Sequence, residues 1–246
     1  MEKNKNVQFV DLGKVDYKAT WDFQESLLGH VSEIKLGNRK RSQEDQLNTP
    51  NFMLFCEHPH VYTLGKSGNE DHLLLQPAFL SQIGASYFKI NRGGDITYHG
   101  PGQLVGYPIL DLENFTTDIH LYLRNLEEVI IQSCLEFGLL AGRVDNLTGV
   151  WIDPDSSNKR KICAMGVKAS RWITMHGFAL NINTDLSYFQ HIVPCGIMEY
   201  GVTSLEKELG YRVDEKRVKE VVLHHFKQLF ETNIQHVSRE TLEKLV

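Results

Sequence analysis

A chain of 246 residues with 41% hydrophobic and 23% charged positions has ordinary globular composition, which excludes a disordered or fibrous protein. Lysine and arginine number 26 against 31 aspartates and glutamates, a net charge of −5. That balance excludes a general nucleic-acid binder, which needs a basic face along phosphates, but it leaves room for a local basic patch.

In chain order, residues 7–12 read as a strand and 17–36 as a helix, followed by a polar loop at 39–50 (RKRSQEDQLNTP). Short strands are predicted at 52–56 and 61–64, then at 87–91 and 104–112, where β-branched and aromatic residues run between glycines. The spacing of Ile119, Leu123, Leu126, Ile130 and Cys134 predicts a helix over 118–138, with Asp118 as N-cap and Gly138 as its stop. Strands are expected at 161–169 and 173–183, a second long helix at 214–230, and a short helix or tail at 235–246. Strands in runs with long helices apart suggest an α+β fold, a mixed sheet with helices packed on one side.

The start, MEKNKN, has no apolar stretch behind its charges, so no signal peptide is expected. No window approaches the ~18 apolar residues of a membrane span. Cys56, Cys134, Cys163 and Cys195 are scattered without a C-x-x-C pair and read as free thiols of a reduced, cytoplasmic protein.

Several motifs fail. Gly65-Lys66-Ser67 lacks the earlier glycine of a phosphate loop, since His60 stands there. No G-x-S-x-G elbow exists. His58 and His60 have no third ligand at diagnostic spacing, so no metal site is expected.

Three stretches hold more. Residues 92–103 (RGGDITYHGPGQ) place four glycines within eleven residues, which lets backbone approach a ligand closely; a Gly-rich hairpin closed by Gly100-Pro101-Gly102 is the structural alternative. Across 161–181, the small residues Ala164, Gly166, Gly177 and Ala179 alternate on strands and would leave an apolar slot, or a tight packing contact. Cys195 sits between Pro194 and Gly196, a turn setting unlike those of the other three cysteines, which suit buried small hydrophobes.

With RGG-x-x-TYHGPGQ at 92–103, Lys-Ile-x-Ala-x-Gly at 161–166, HG-x-ALN at 176–181 and PCG at 194–196, the sequence resembles the lipoyl (octanoyl) transferases, from about Phe55 to Leu209. The resemblance implies the fold of the biotin and lipoate protein ligase catalytic domain, a mixed sheet flanked by helices, and a single catalytic domain over 1–246. It implies transfer of octanoyl or lipoyl from acyl carrier protein to a lysine of lipoyl domains, those of 2-oxoacid dehydrogenase complexes and the glycine cleavage H protein. No ATP, metal, nucleic acid or membrane is implied, since the acyl group arrives activated on phosphopantetheine.

Carried over by position, the acyl-accepting nucleophile is Cys195 and its partner Lys161. The substrate site takes Arg92, Gly93, Gly94, Asp95, Ile96, Thr97, Tyr98 and His99, then Ala164, Met165 and Gly166, then Gly177, Phe178 and Ala179, with His176 in support. Cys163 is the rival thiol. A free thiol titrates near 8.5, so little thiolate exists at neutral pH without a nearby cation. Backbone amides near Gly94 or Gly166 are expected to hold the oxyanion. Lys159, Arg160, Lys161, Lys168 and Arg171 are expected to steer acidic partners. An ATP-dependent lipoate or biotin ligase on the same fold is the nearest alternative, and a non-catalytic binder of carrier or lipoyl domains is another.

Overall fold

The computed structural model describes residues 3–193 and 200–246. Strand β1 (Asn6–Lys14) leads into α1 (Tyr17–Asn38), where the Asp16 carboxylate accepts the Ala19 amide at 2.9 Å and satisfies a donor the helix start leaves open. Strands β2 (Asn51–Glu57) and β3 (Val61–Leu64) flank the predicted His58-Pro59-His60 break. A short α2 (Pro77–Leu80) precedes β4 (Ser86–Lys89), β5 (Ile96–His99) and β6 (Gln103–Ile109). Helix α3 (Ile119–Glu136) starts on Asp118, which accepts the His120 and Leu121 amides, and is followed by Gly138 at φ +76°. Four strands follow, β7 (Ala141–Val144), β8 (Leu147–Ile152), β9 (Arg160–Ser170) and β10 (Ile173–Asn181). The chain ends with β11 (Gly201–Val202), α4 (Leu205–Leu209), α5 (Glu215–Leu229), β12 (Asn233–His236) and α6 (Arg239–Glu243).

The large sheet runs β12-β1-β2-β6-β10-β9-β8-β7, with β11 added to β9; β4-β3-β5 form a small second sheet. Pairing is mixed, because β1 lies parallel to β2 and β12 while β2, β6, β10, β9 and β8 run antiparallel in turn. Alternation along β2 shows how the core divides. Phe52, Leu54 and Cys56 pack with Leu27 and Val31 of α1, whereas Met53 and Phe55 pack with Leu126 and Ile130 of α3 and Phe226 of α5. Helices therefore cover both faces, not one side as the run of strands suggests. The physical reason lies in β2 and β10, which are buried on successive residues and so need cover above and below.

Two further departures bear on the site. Residues 92–103 do not close a hairpin: β5 pairs with β3 in the small sheet, whereas β6 pairs with β2 and β10 in the large one. The Gly100-Pro101-Gly102 turn thus carries the chain from one sheet to the other. The C-terminal stretch adds an edge strand, β12, before its short helix, and β5, β7 and β8 are strands that local pattern does not reveal.

The small sheet is docked on the edge of β9 by its glycines. Gly93 donates its amide to the Val167 carbonyl at 2.9 Å, and a Cβ on Gly166 would lie 2.8 Å from the Gly93 oxygen. Below this seam, Glu127 of α3 is fully buried and accepts from Arg124 (2.7 Å), Arg143 (3.0 Å) and the Gly149 amide of β8 (3.0 Å). Glu127→Ala is expected to lower stability by ~2–3 kcal/mol, because it strands the Gly149 amide and unpairs a partly buried arginine. Urea unfolding measures this, and a loss below ~0.5 kcal/mol would show that the carboxylate is dispensable.

Candidate active site

A cavity of about 410 Å³ opens along the seam between the two sheets. Its wall takes residues from the motif stretches at 92–103, 161–166 and 176–181: Arg92 and Gly94 to Thr97 from the glycine segment, His99, then Lys161, Ala164, Met165 and Gly166 of β9, and His176 to Ala179 of β10. The small residues Ala164, Gly166, Gly177 and Ala179 all line this cavity, together with Phe178 and Val105. Gly177 is required by the neighbouring strand β6, where a Cβ would meet the Gly106 oxygen at 2.2 Å.

Two of the expected residues lie outside this lining. Gly93 is engaged in the seam by its bond to Val167. Tyr98 points into the satellite core of the small sheet, fully buried beside Tyr62, with its hydroxyl 2.7 Å from His60 Nδ1. Period-two alternation along β5 explains the split, since Thr97 and His99 face one way and Tyr98 the other.

Lys161 reaches the cavity through an irregularity in β9. Val150 of β8 pairs with Cys163, but Trp151 pairs with Lys161, so one step on β8 spans two on β9. The extra residue is a β-bulge. It lets Ile162 and Cys163 both enter the main core and leaves Lys161 on the cavity side. The lysine stem lies over Gly149, where a Cβ would sit 3.4 Å from Cε and 2.7 Å from the Cys163 oxygen. Gly149 adopts φ +125°, a conformation only glycine takes easily. The ammonium stands 4.6 Å from the centre of the Trp151 ring.

Cys195 belongs to 194–199 and lies outside the described residues. The flanking chain is placed: Val193 donates its amide to the His72 carbonyl at 2.8 Å, and Tyr200 is back in the cavity wall. The other thiols are sealed. Cys163 has no exposed surface, packs in the core, and burial pushes its thiol well above the usual range. Burial likewise raises Cys56 and takes Cys134 up to about 12. None of the three is a ready thiolate.

The polar end of the cavity is a chain of satisfied hydrogen bonds. Asn181 donates to the Thr203 carbonyl at 2.9 Å, Gln103 donates to Asn181 at 2.8 Å, and His99 Nδ1 donates to the Gln103 amide oxygen at 2.8 Å. His176, at φ +60°, is held by its own amide on Gln24 (2.9 Å) and by Nε2 on Asn91 (3.1 Å). Arg92 donates to the Thr63 carbonyl at 2.8 Å. Burial, then the charges of nearby histidine and Arg92, hold His99 at about 3; burial and Arg92 hold His176 at about 3; burial holds His58 at about 4. These imidazoles are neutral at physiological pH, so they orient and accept rather than supply charge.

The expected basic patch is largely spent on local partners. Arg160 lies 2.5 Å from Asp153 and from Glu208, and Lys168 lies 3.1 Å from Glu25. Arg171 donates to Ser32 at 2.9 Å, while Lys159 stands over the Tyr200 ring at 5.0 Å. Among the described residues no helix is long and apolar enough to cross a membrane.

A family model, the lipoyl protein ligase A/B catalytic domain, matches residues 16–227. The chain is 56% identical to an octanoyltransferase of Cytophaga hutchinsonii, across 97% of this chain and 98% of that one. It is 59% identical to an octanoyltransferase of Flavobacterium psychrophilum, across 94% and 99% respectively. The chain belongs to the octanoyltransferase family. It is accordingly an acyltransferase, and the fold expected from the motifs is the one observed. A bipartite lipoate protein ligase from Thermoplasma acidophilum superposes with a TM-score of 0.66 over 100% of this chain and 91% of that one, at 16% identity. That last likeness is one of fold alone.

Several residues of the octanoyltransferase cavity were not signalled by any motif: Tyr17 from α1, Tyr107 from β6, Trp151 from β8 and Tyr200 ahead of β11. The buried histidines also set a pH dependence. Each has a folded-state value below the ~6.5 of an unfolded chain, so the unfolded state alone takes up protons as pH falls below that value. Stability should be full above pH ~6.5 and decline toward pH 4, each histidine adding up to ~1.4 kcal/mol per pH unit. Urea midpoints at pH 7.5 and pH 5 test this; equal midpoints would contradict the buried neutral state.

Proposed function

We propose that this octanoyltransferase works through a thioester on Cys195 with Lys161 as proton carrier, and that residues 1–246 act as one catalytic domain. The observation that carries the reading is Lys161 in the wall of a cavity that Phe189 and Tyr200, before and after Cys195 in the chain, also line. The sealed state of Cys56, Cys134 and Cys163 supports the same choice of nucleophile.

The acyl chain lies along Ala164, Gly166, Gly177 and Ala179, against Ile96, Met165 and Phe178. Six methylenes at ~0.8 kcal/mol each offer roughly 5 kcal/mol, enough to favour octanoyl over acetyl. Backbone amides near Gly94 or Gly166 supply the oxyanion site, and Arg92, Asp95 and Thr97 shape the mouth, with His99 and His176 as neutral orienting groups.

In the first step the Cys195 thiolate attacks the carrier thioester. The new Sγ–C bond forms, the bond to the phosphopantetheine sulfur breaks, and the leaving thiolate takes a proton from the Lys161 ammonium. In the second step the neutral ε-amine of a lipoyl-domain lysine attacks the acyl-Cys195 carbonyl. The N–C bond forms, the C–Sγ bond breaks, and the amine proton passes to the now neutral Lys161. The ammonium and thiolate pair is thereby restored. Thioester exchange is nearly balanced, and the amide product draws the transfer forward. Neither step consumes ATP or calls for a metal ion.

The donor is octanoyl-acyl carrier protein, and the acceptors are lipoyl domains of 2-oxoacid dehydrogenase complexes and the glycine cleavage H protein. The setting is cytoplasmic. With Arg160 and Lys168 already paired to carboxylates, steering of these acidic partners falls mainly to Lys159 and Arg171, whose contacts are to a ring and a hydroxyl.

Mixing the protein with octanoyl-carrier protein should give a hydroxylamine-labile adduct of octanoyl mass on Cys195. Cys195→Ala should abolish adduct and transfer, whereas Cys163→Ala should keep most activity; the reverse pattern would move the nucleophile. Free octanoate with ATP and magnesium should label no lipoyl domain, and robust labelling would favour a ligase. Lys161→Ala should slow alkylation of Cys195 at neutral pH by tenfold or more, and an unchanged rate would remove the lysine from thiolate stabilisation.

A further inference from the structure

We propose that Trp151 is the positioning residue of the reaction, holding the Lys161 ammonium at the cavity and setting it in register with the chain that leaves the 194–199 segment. The inference rests on the reading of Lys161 as the partner of Cys195. Trp151 is 3% exposed and sits directly across from Lys161 in the β8–β9 pair, at the bulge. One face of its ring takes the Lys161 ammonium at 4.6 Å. Tyr200 meets the same indole edge to face, with centroids 5.7 Å apart and planes at 87°. Its own orientation is held by Nε1, which donates to the Leu147 carbonyl at 3.3 Å.

The physical reason for a tryptophan here is twofold. A lysine has four rotatable bonds, and ordering it costs side-chain entropy that a fixed contact offsets. The indole face attracts the ammonium more strongly than other aromatic rings and does so without a counter-charge. A carboxylate in its place would compete directly with the Cys195 thiolate for the same cation. An aromatic wall holds the lysine without placing a negative charge beside it. The rigid contact to Tyr200 then ties this wall to the chain five residues beyond Cys195.

The test is a double-mutant cycle read by the rate of iodoacetamide alkylation of Cys195 at pH 7, mapped by peptide mass. The buried thiols Cys56, Cys134 and Cys163 stay unlabelled in the folded protein. Trp151→Leu should slow alkylation about tenfold, equivalent to ~1.4 kcal/mol. Trp151→Phe should restore it to within about threefold, and kcat should fall more than KM. In a Lys161→Ala background, Trp151→Leu should change the rate by less than about twofold. An equal loss in both backgrounds, or no loss in the native background, would overturn the proposal. If Lys161→Ala alone leaves alkylation unchanged, it is the underlying reading of Lys161 that fails.

Should Trp151→Leu not fold, fluorinated tryptophans placed at 151 keep the ring shape and weaken its electrostatic face stepwise. The alkylation rate should fall along that series, and a flat series would sink the proposal.

Discussion

The bulge in β9 is the constraint from which the site follows. An ordinary strand sends alternate side chains to opposite faces, so a buried Cys163 would leave Ile162 on the cavity side and turn Lys161 into the core. The extra residue lets Ile162 and Cys163 both pack among the main core and releases Lys161 to the other face. Moving an ammonium into that core would cost several kcal/mol, whereas the bulge costs only part of one ladder. Gly149 makes the local geometry possible, because its backbone passes within contact of the Cys163 carbonyl and the lysine stem. Glu127 in turn fixes Gly149 from behind. Helix, strand and lysine thus form one mechanical unit.

Around that unit the cavity separates two kinds of environment. Its apolar flank carries Ala164 and Gly166 of β9 beside their partners Ala179 and Gly177 of β10. The opposite flank is polar yet nearly dry, with His99, Gln103 and Asn181 bonded in series and each group satisfied. Buried imidazoles in such a network stay neutral, since desolvation penalises their charged form.

Much of the fold was legible locally. Asp16 and Asp118 cap the helices that periodicity predicted, and the strands with strong β-branched runs fall where expected. Strands β5, β7 and β8 were not legible, because glycines and polar residues dilute their alternation. The two-sided cover of the sheet was hidden for a different reason. It depends on which strands lie centrally, and β2 and β10 become central only through pairing with β6. In the site, the motif residues Arg92, Lys161, Ala164 and His176 do line one cavity, while Tyr98 turns away and Trp151 enters unannounced.

By itself the chain of letters determined the chemistry on offer: a lysine, a cysteine between a proline and a glycine, and small residues at alternating strand positions. Glycine and proline act through their own backbone limits, and capping acts within a turn, so these effects are written locally. Tertiary structure alone decided that Lys161 faces the cavity, that Cys163 is sealed, and that Trp151 and Tyr200 share a wall with the lysine. Each of those outcomes depends on register and burial between segments distant in sequence, and the free energy that selects them arises only when the strands pair.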